Sequence, residues 1–179
     1  MIRSVAVFCG SKGGNNPAFA RAATALGRGL AEAGIALIYG GGRVGIMGLV
    51  ADAALAAGGT VEGIIPEFLM QWEVAHPGVA DMQVTDSMHS RKRRMFERAD
   101  AFVTLPGGMG TLDETIEILT WRQLRLHTKP ILICDTAGWA GAFVSAIEAT
   151  VEQGFADPTI RDFIEVLDGP AAVLARLRR

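Results

Sequence analysis

Apolar residues in this chain fall into short unbroken runs, separated by longer stretches in which they recur every three or four positions. The runs SVAVFCG (4–10), IALIYG (35–40), TVEGIIP (60–66), MQVTD (82–86), AFVTLP (101–106) and ILICD (131–135) are rich in β-branched residues and end at Gly, Pro or Asp. That composition predicts strands. Most are apolar throughout rather than alternating, which suits strands covered on both faces. A last short run, FIEVLD (163–168), predicts a further strand.

The intervening segments have helical spacing. Helices are predicted over 16–34, 45–59, 87–99, 111–126, 139–154 and 169–179. Pro17 marks a start and Gly34 and Gly154 mark stops. Asp86 or Ser87 is placed to cap the third helix. In the fourth, Leu112, Ile116, Leu119 and Gln123 fall on one side. The β-α-β-α order predicts an α/β fold: one doubly wound domain over 1–179, with a mainly parallel sheet and helices on both faces. In such folds ligands bind at the carboxyl ends of the strands.

Composition narrows the function little. The 179 residues are 50% hydrophobic and 20% charged, with a net charge of -2. That balance does not suggest a nucleic-acid binder. No apolar run reaches the roughly 18 residues of a membrane span, and the N-terminus enters a strand pattern with no signal peptide. A cytoplasmic protein is expected, with Cys9 and Cys134 as buried thiols in apolar runs. His76, His89 and His127 are scattered along the sequence and read as surface or supporting residues. No spacing suggests a metal site, and no cofactor is expected.

Three strand ends carry glycine loops: CGSKGGN (9–15), YGGGRVGIMG (39–48) and LPGGMGTLDE (105–114). Each precedes a predicted helix. Glycine lets backbone N–H groups approach a ligand, and a helix N-terminus favours an anion. Gly10, Ser11, Gly41, Gly42 and Gly45 are therefore candidates in the first two loops. The second loop also fits G-x-G-x-x-G through Gly40, Gly42 and Gly45, with Glu62 lying 17 residues beyond. That spacing raises a dinucleotide alternative, although Glu62 falls in mid-strand and the pattern alone is weak. None of the loops is a Walker A sequence, so ATP hydrolysis is not expected. In the third loop Pro106 ends the strand, and Gly107, Gly108 and Gly110 let the backbone curl. Thr111 and Glu114 there match a capping box, T-x-x-E, which would tie Glu114 to its own helix end. The same two residues could instead face a phosphate and a sugar.

PGGMGTLDE, with RKRRM upstream at 91–95 and YGGGRVGIMG before that, resembles the LOG ("Lonely guy") family of cytokinin riboside 5'-monophosphate phosphoribohydrolases. Members often carry the older label lysine decarboxylase. The resemblance runs from VFCGS (7–11) to VEQGF (151–155) and includes TWRQLRLHTKP (120–130). It implies a Rossmann-like fold and a homodimer with active sites near the interface. It also implies hydrolysis of the N-glycosidic bond of a nucleoside 5'-monophosphate. Carried over by position, it implies substrate contacts at Glu73, Arg91, Lys92 and Gly108 to Glu114, a stretch that includes Met109, Gly110 and Thr111. Asp113 departs slightly from the family's usual glutamate.

Such a reaction passes through an oxocarbenium-like sugar. Glu114 could stabilise that charge or direct a water, while Gly107, Gly108, Gly110 and Thr111 hold the phosphate. In SRKRR, Arg91 and Arg94 are three apart and are expected to share a helix face, with Lys92 rotated away. Arg91 is the expected catalytic partner, fixing the substrate or holding Glu114 ionised. It is not a general acid, because guanidinium keeps its proton. Met88 is a packing residue or touches the base. The 45–59 helix and Trp121 are candidate interface elements. A decarboxylase would need a Schiff-base lysine, and neither Lys12, Lys92 nor Lys129 lies in a recognisable site for it. Two alternatives remain open at this point: a non-catalytic nucleotide-binding module and a dinucleotide oxidoreductase.

Overall fold

A computed structural model describes residues 1–179, with Gln71 and Glu73 lying outside the described residues. Its strands are β1 (Ser4–Phe8), β2 (Ala36–Tyr39), β3 (Val61–Pro66), β4 (Asp81–Thr85), β5 (Ala101–Thr104), β6 (Ile131–Asp135) and β7 (Glu165–Asp168). They form one sheet of 7 strands in the order β4-β3-β2-β1-β5-β6-β7, and every pairing is parallel. The helices are α1 (Pro17–Glu32), α2 (Gly45–Ala56), α3 (Met88–Arg98), α4 (Met109–Gln123), α5 (Ala140–Glu152) and α6 (Gly169–Leu177). Every predicted strand and helix is present, so the doubly wound α/β expectation holds.

Alternation along the strands assigns side chains to two cores. Val5, Val7, Leu37, Tyr39 and Val103 point to the layer of α1, α2 and α6. Ala6, Phe8, Ile38, Phe102 and Ile133 point to the layer of α3, α4 and α5. A strand with helices on both sides needs apolar residues at every position, which is why the central runs read as unbroken. The edge strands β4 and β7 lack that cover on one side, and their residues are partly exposed. The short α1–α2 approach depends on Gly27, where a Cβ would strike the Val50 carbonyl.

Three short turns were not anticipated: a 3₁₀ turn at Glu67–Leu69, a π-type turn at Met70–Val74 and a 3₁₀ turn at Pro158–Phe163. The first two carry the chain from β3 across the carboxyl edge of the sheet. Among the described residues no helix is long and apolar enough to cross a membrane.

Candidate active site

The sheet reverses its winding between β1 and β5, which pair directly. Chains leaving the two strands diverge there and open a crevice. The Gly10 N–H donates to the Pro106 carbonyl at 3.2 Å, fastening the first loop to the third. A Cβ on Gly10 would meet Gly107 Cα at 3.1 Å, a tighter approach than side chains ordinarily make. Above this junction lies a cavity of about 610 Å³, within the usual range for a small-molecule site. Its polar side is formed by Gly10 to Gly14, Gly40, Arg91, Gly107, Gly108, Gly110, Thr111 and Glu114; Phe19, Ile46, Met47, Leu69, Met88, Met109 and Trp139 supply apolar surface.

The third loop does not form the capping box that its sequence spells. Helix α4 begins at Met109 with Gly108 as N-cap, and no side chain caps it. Thr111 is thus inside the first turn and cannot serve as cap. Thr111 packs against position 107, which only glycine allows, since a Cβ there would overlap the Thr111 hydroxyl. The first-turn amides of a 15-residue helix therefore face the cavity with the positive end of its dipole. The buried face of α4 is Thr111, Glu114, Thr115, Ile118 and Leu119. The side predicted from Leu112, Ile116, Leu119 and Gln123 is displaced, and Ile116 is 51% exposed. Polar residues occupy the inner face because it borders the cavity and the end of β5. There Thr115 Oγ1 lies 2.9 Å from Thr104 Oγ1 and donates to the Thr111 carbonyl at 2.7 Å. Glu114 is buried and lines the cavity.

Arg91 reaches the cavity from α3. Its helix starts with a reciprocal cap between Ser87 and Ser90. Only 4% of Arg91 is exposed, and Nη2 donates to the Gly40 carbonyl at 3.0 Å. Nη1 lies 3.9 Å from Met88 Sδ. Arg94 does not share this face: it is exposed and donates to Gln83 at 2.7 Å. Lys92 turns to α4, pairing with Asp113 at 3.1 Å and Glu117 at 3.0 Å. Burial disfavours the Lys92 charge, yet Glu117 and Asp113 outweigh it and raise its pKa above the ordinary lysine value. Lys92 does not line the cavity, and its partner Asp113 is the residue that departs from the resemblance.

The second loop contributes one cavity residue, Gly40, while Gly41, Gly42 and Gly45 lie off the cavity. Gly41 and Gly45 are packed tightly against neighbouring segments. A Cβ on Gly45 would strike the Ser11–Lys12 peptide. Gly41 accepts from the His76 N–H and Arg43 donates its N–H to the Val74 carbonyl, both at 2.9 Å. His76 is buried, so of the two readings, surface or supporting, the second fits it. Its Nε2 contacts Asp52 Oδ1 at 3.0 Å, and Nδ1 accepts from the Gly78 N–H at 3.1 Å. Glu62 faces neither glycine loop: Arg98 grips both its oxygens at 3.0–3.1 Å, and Gln83 donates to it at 2.6 Å. Glu62 is therefore not placed to serve as the ribose-binding acid of the G-x-G-x-x-G loop. Glu73, implied as a substrate contact, lies outside the described residues. The proposed interface elements have partners within the chain: α2 buries Ile46, Val50 and Ala54, and Trp121 meets Phe96 edge-on at 4.9 Å.

Lys12, Phe19, Leu69 and Trp139 also line the cavity and were not singled out from the sequence. All four follow the carboxyl end of a strand, after β1, β1, β3 and β6. That position was the available signal. Among the described residues no group of three His, Cys, Asp or Glu is placed to hold a metal ion.

A family model described as "Possible lysine decarboxylase" matches residues 47–177. A cytokinin riboside 5'-monophosphate phosphoribohydrolase of Rhodococcoides fascians is 41% identical over 177 residues, covering 98% of this chain and 89% of that protein. One from Arabidopsis thaliana is 41% identical over 163 residues, covering 91% of this chain and 76% of that protein. Among solved structures, the molybdenum cofactor binding protein of Rippkaea orientalis has a TM-score of 0.76 at 20% identity, covering 99% of this chain and 96% of that one. At that identity the likeness concerns the fold.

Proposed function

The chain belongs to the LOG family of phosphoribohydrolases, and on that premise we propose that it hydrolyses the N-glycosidic bond of nucleoside 5'-monophosphates. AMP and N6-modified adenosine monophosphates are the substrates, and free base and ribose 5-phosphate the products. The observation that carries this reading is the placement of Glu114. It is buried in the cavity one helical turn below an uncapped N-terminus.

In this reading the 5'-phosphate sits against Gly107, Gly108, Gly110 and Thr111, using the backbone amides and the threonine hydroxyl. The ribose then lies beside Glu114. As the bond between C1' and the base nitrogen stretches, its electron pair leaves with the base and positive charge grows on the sugar. The Glu114 carboxylate stabilises that charge and orients a water toward C1'. The water's oxygen joins C1'; one of its protons goes to solvent or Glu114, and the leaving nitrogen receives a proton in turn. Arg91, held by Gly40, provides a fixed positive charge beside the reacting groups. Met88, Leu69 and Trp139 offer apolar contact for the base. A homodimer is part of the same reading, supported by the exposed Phe68, Trp72 and Val74 close to the Leu69 side of the cavity; light scattering reports the mass directly.

The family model's description implies pyridoxal phosphate chemistry, which these lysines do not suit. Lys92 is paired with two carboxylates, and the Lys129 amine bonds to the Phe96 carbonyl and lies over its ring. Lys12 stands in an exposed loop, and no carboxylate other than Glu114 lines the cavity among the described residues to meet a pyridinium nitrogen.

The test is incubation with AMP, GMP, CMP and isopentenyladenosine monophosphate, scored for released base. Glu114→Gln should lower kcat/KM by about 10²–10⁴-fold, the span of a positioned acid–base group, while nucleotide binding persists. Binding of AMP with no base released by the wild type would make the protein a carrier instead.

A further inference from the structure

Loop 9–15 holds a charge that the mechanism above does not use. Lys12 lines the same cavity as Gly107 to Thr111. Its backbone packs closely beside two glycines. A Cβ at Gly10 would lie 3.0 Å from the Lys12 carbonyl oxygen and 3.1 Å from Gly107 Cα. Those two atoms therefore flank one point, and Lys12 stands directly beside the start of the third loop. On its other side the Lys12 amide lies so near Gly45, at the head of α2, that a Cβ there would come within 2.5 Å of it. The main chain is held while the residue itself stays exposed.

The other lysines are engaged within the fold, Lys92 by Asp113 and Glu117 and Lys129 by Phe96. No carboxylate pairs with Lys12 among the described residues. Arg91 enters the cavity from the opposite side, from α3 against Gly40. The α4 N-terminus offers only neutral amides and a hydroxyl to an anion. A phosphate monoester carries close to two charges at neutral pH, and partial dipoles alone match that charge poorly. An ammonium on a flexible four-carbon stem supplies a full point charge.

We propose that Lys12 is a specificity-determining residue that grips the 5'-phosphate of the substrate from the first loop, opposite the α4 amides, so that the site selects phosphorylated over unphosphorylated nucleosides. This rests on the nucleotide reading above. The two loops fastened by the Gly10–Pro106 hydrogen bond then form the two sides of one phosphate clamp.

The experiment compares wild type, Lys12→Met and Lys12→Arg by two readouts: steady-state kinetics with AMP, and direct calorimetric binding of ribose 5-phosphate. Lys12→Met should raise the KM for AMP and the Kd for ribose 5-phosphate by about ten- to a hundredfold, the range of one charge-assisted contact. Its kcat should stay within about twofold, since the residue is remote from C1'. Lys12→Arg should restore most of the binding, and the KM of Lys12→Met should respond less to added salt. Adenosine binding should be equal in all three proteins. If Lys12→Met binds ribose 5-phosphate as tightly as wild type, or if wild type does not bind it, the assignment is overturned. If wild type binds ribose 5-phosphate but releases no base from any nucleotide, the hydrolase reading fails alone, and the binding comparison still decides the role of Lys12.

Discussion

Gly40 and Arg91 occupy each other's space: Arg91 Nη2 donates to the Gly40 carbonyl at 3.0 Å and fills the position where a Gly40 side chain would begin. The end of β2 thereby sets where a guanidinium from α3 can lie. Gly40→Ala must push Arg91 out of the cavity wall. A displacement of about 1 Å in a catalytic site can cost about 100-fold. Gly40→Ala should therefore lower kcat/KM for AMP by about that factor while circular dichroism stays native. Activity within a few-fold of wild type would mean that Arg91 has room to move and that its placement is not critical.

The outline of this site could be read in the sequence because strand order and glycine placement are local signals. Unbroken apolar runs located the strands, and the loops after β1 and β5 followed. Where the prediction missed, long-range packing decided the outcome. Thr111 and Glu114 spell a capping box, yet the Thr111 hydroxyl packs into the space that Gly107 leaves open, and the helix starts two residues earlier. Arg91 and Arg94 have matching helical positions, but only the Arg91 side has Gly40 to receive it. The second loop reads as a ligand cradle, whereas Gly41 and Gly45 answer to the His76 segment and the first loop. Trp139 reaches the cavity because β6 lies beside β5, a neighbour relation that the sequence does not state.

Lys92 provides a test that separates a structural role from substrate binding. It bridges α3 to Asp113 and Glu117 of α4. Lys92→Met leaves two carboxylates one turn apart without their shared cation and should cost about 1 kcal/mol. For a chain of this size that lowers Tm by about 2–4 °C. Because its pKa is raised in the fold, the stabilisation is fully present at neutral pH and is lost only as pH rises above 10.5 through the raised value. Melting curves from pH 8 to 11 should show wild type and variant converging. A variant with unchanged Tm but a KM raised tenfold would place Lys92 on the substrate instead.

His127 should make the protein acid-sensitive. Its Nε2 sits 2.8 Å from the Ile118 carbonyl and its Nδ1 accepts the Lys129 N–H at 3.1 Å, so the neutral ring satisfies both contacts. Burial lowers its pKa below 6.5, and the nearby Arg122 and Lys129 charges act in the same direction, while the Ile118 bond opposes them. A depressed folded pKa means that the unfolded chain takes up the proton first. The stabilisation is complete above pH 6.5 and is lost as pH falls through the folded value. Tm should fall between pH 7.5 and pH 5 in wild type, and His127→Gln should flatten that slope. Parallel curves for the two proteins would remove His127 as its source.

Tyr39 is fully buried at 0% exposure, and its hydroxyl has no hydrogen-bond partner among the described residues. It points into the layer of α1 and α2, where burial first, and then the Cys9 and Asp52 charges, push its pKa well above the usual tyrosine value. A buried hydroxyl without a partner carries a desolvation cost that the folded state does not recover. Tyr39→Phe keeps the ring and removes that oxygen. It should therefore stabilise the protein by about 1 kcal/mol, seen as a rise in Tm of about 2–4 °C. Turnover of AMP should not change, since Tyr39 does not line the cavity. A fall in Tm of similar size would show that the hydroxyl holds a buried water whose loss costs more than the oxygen itself.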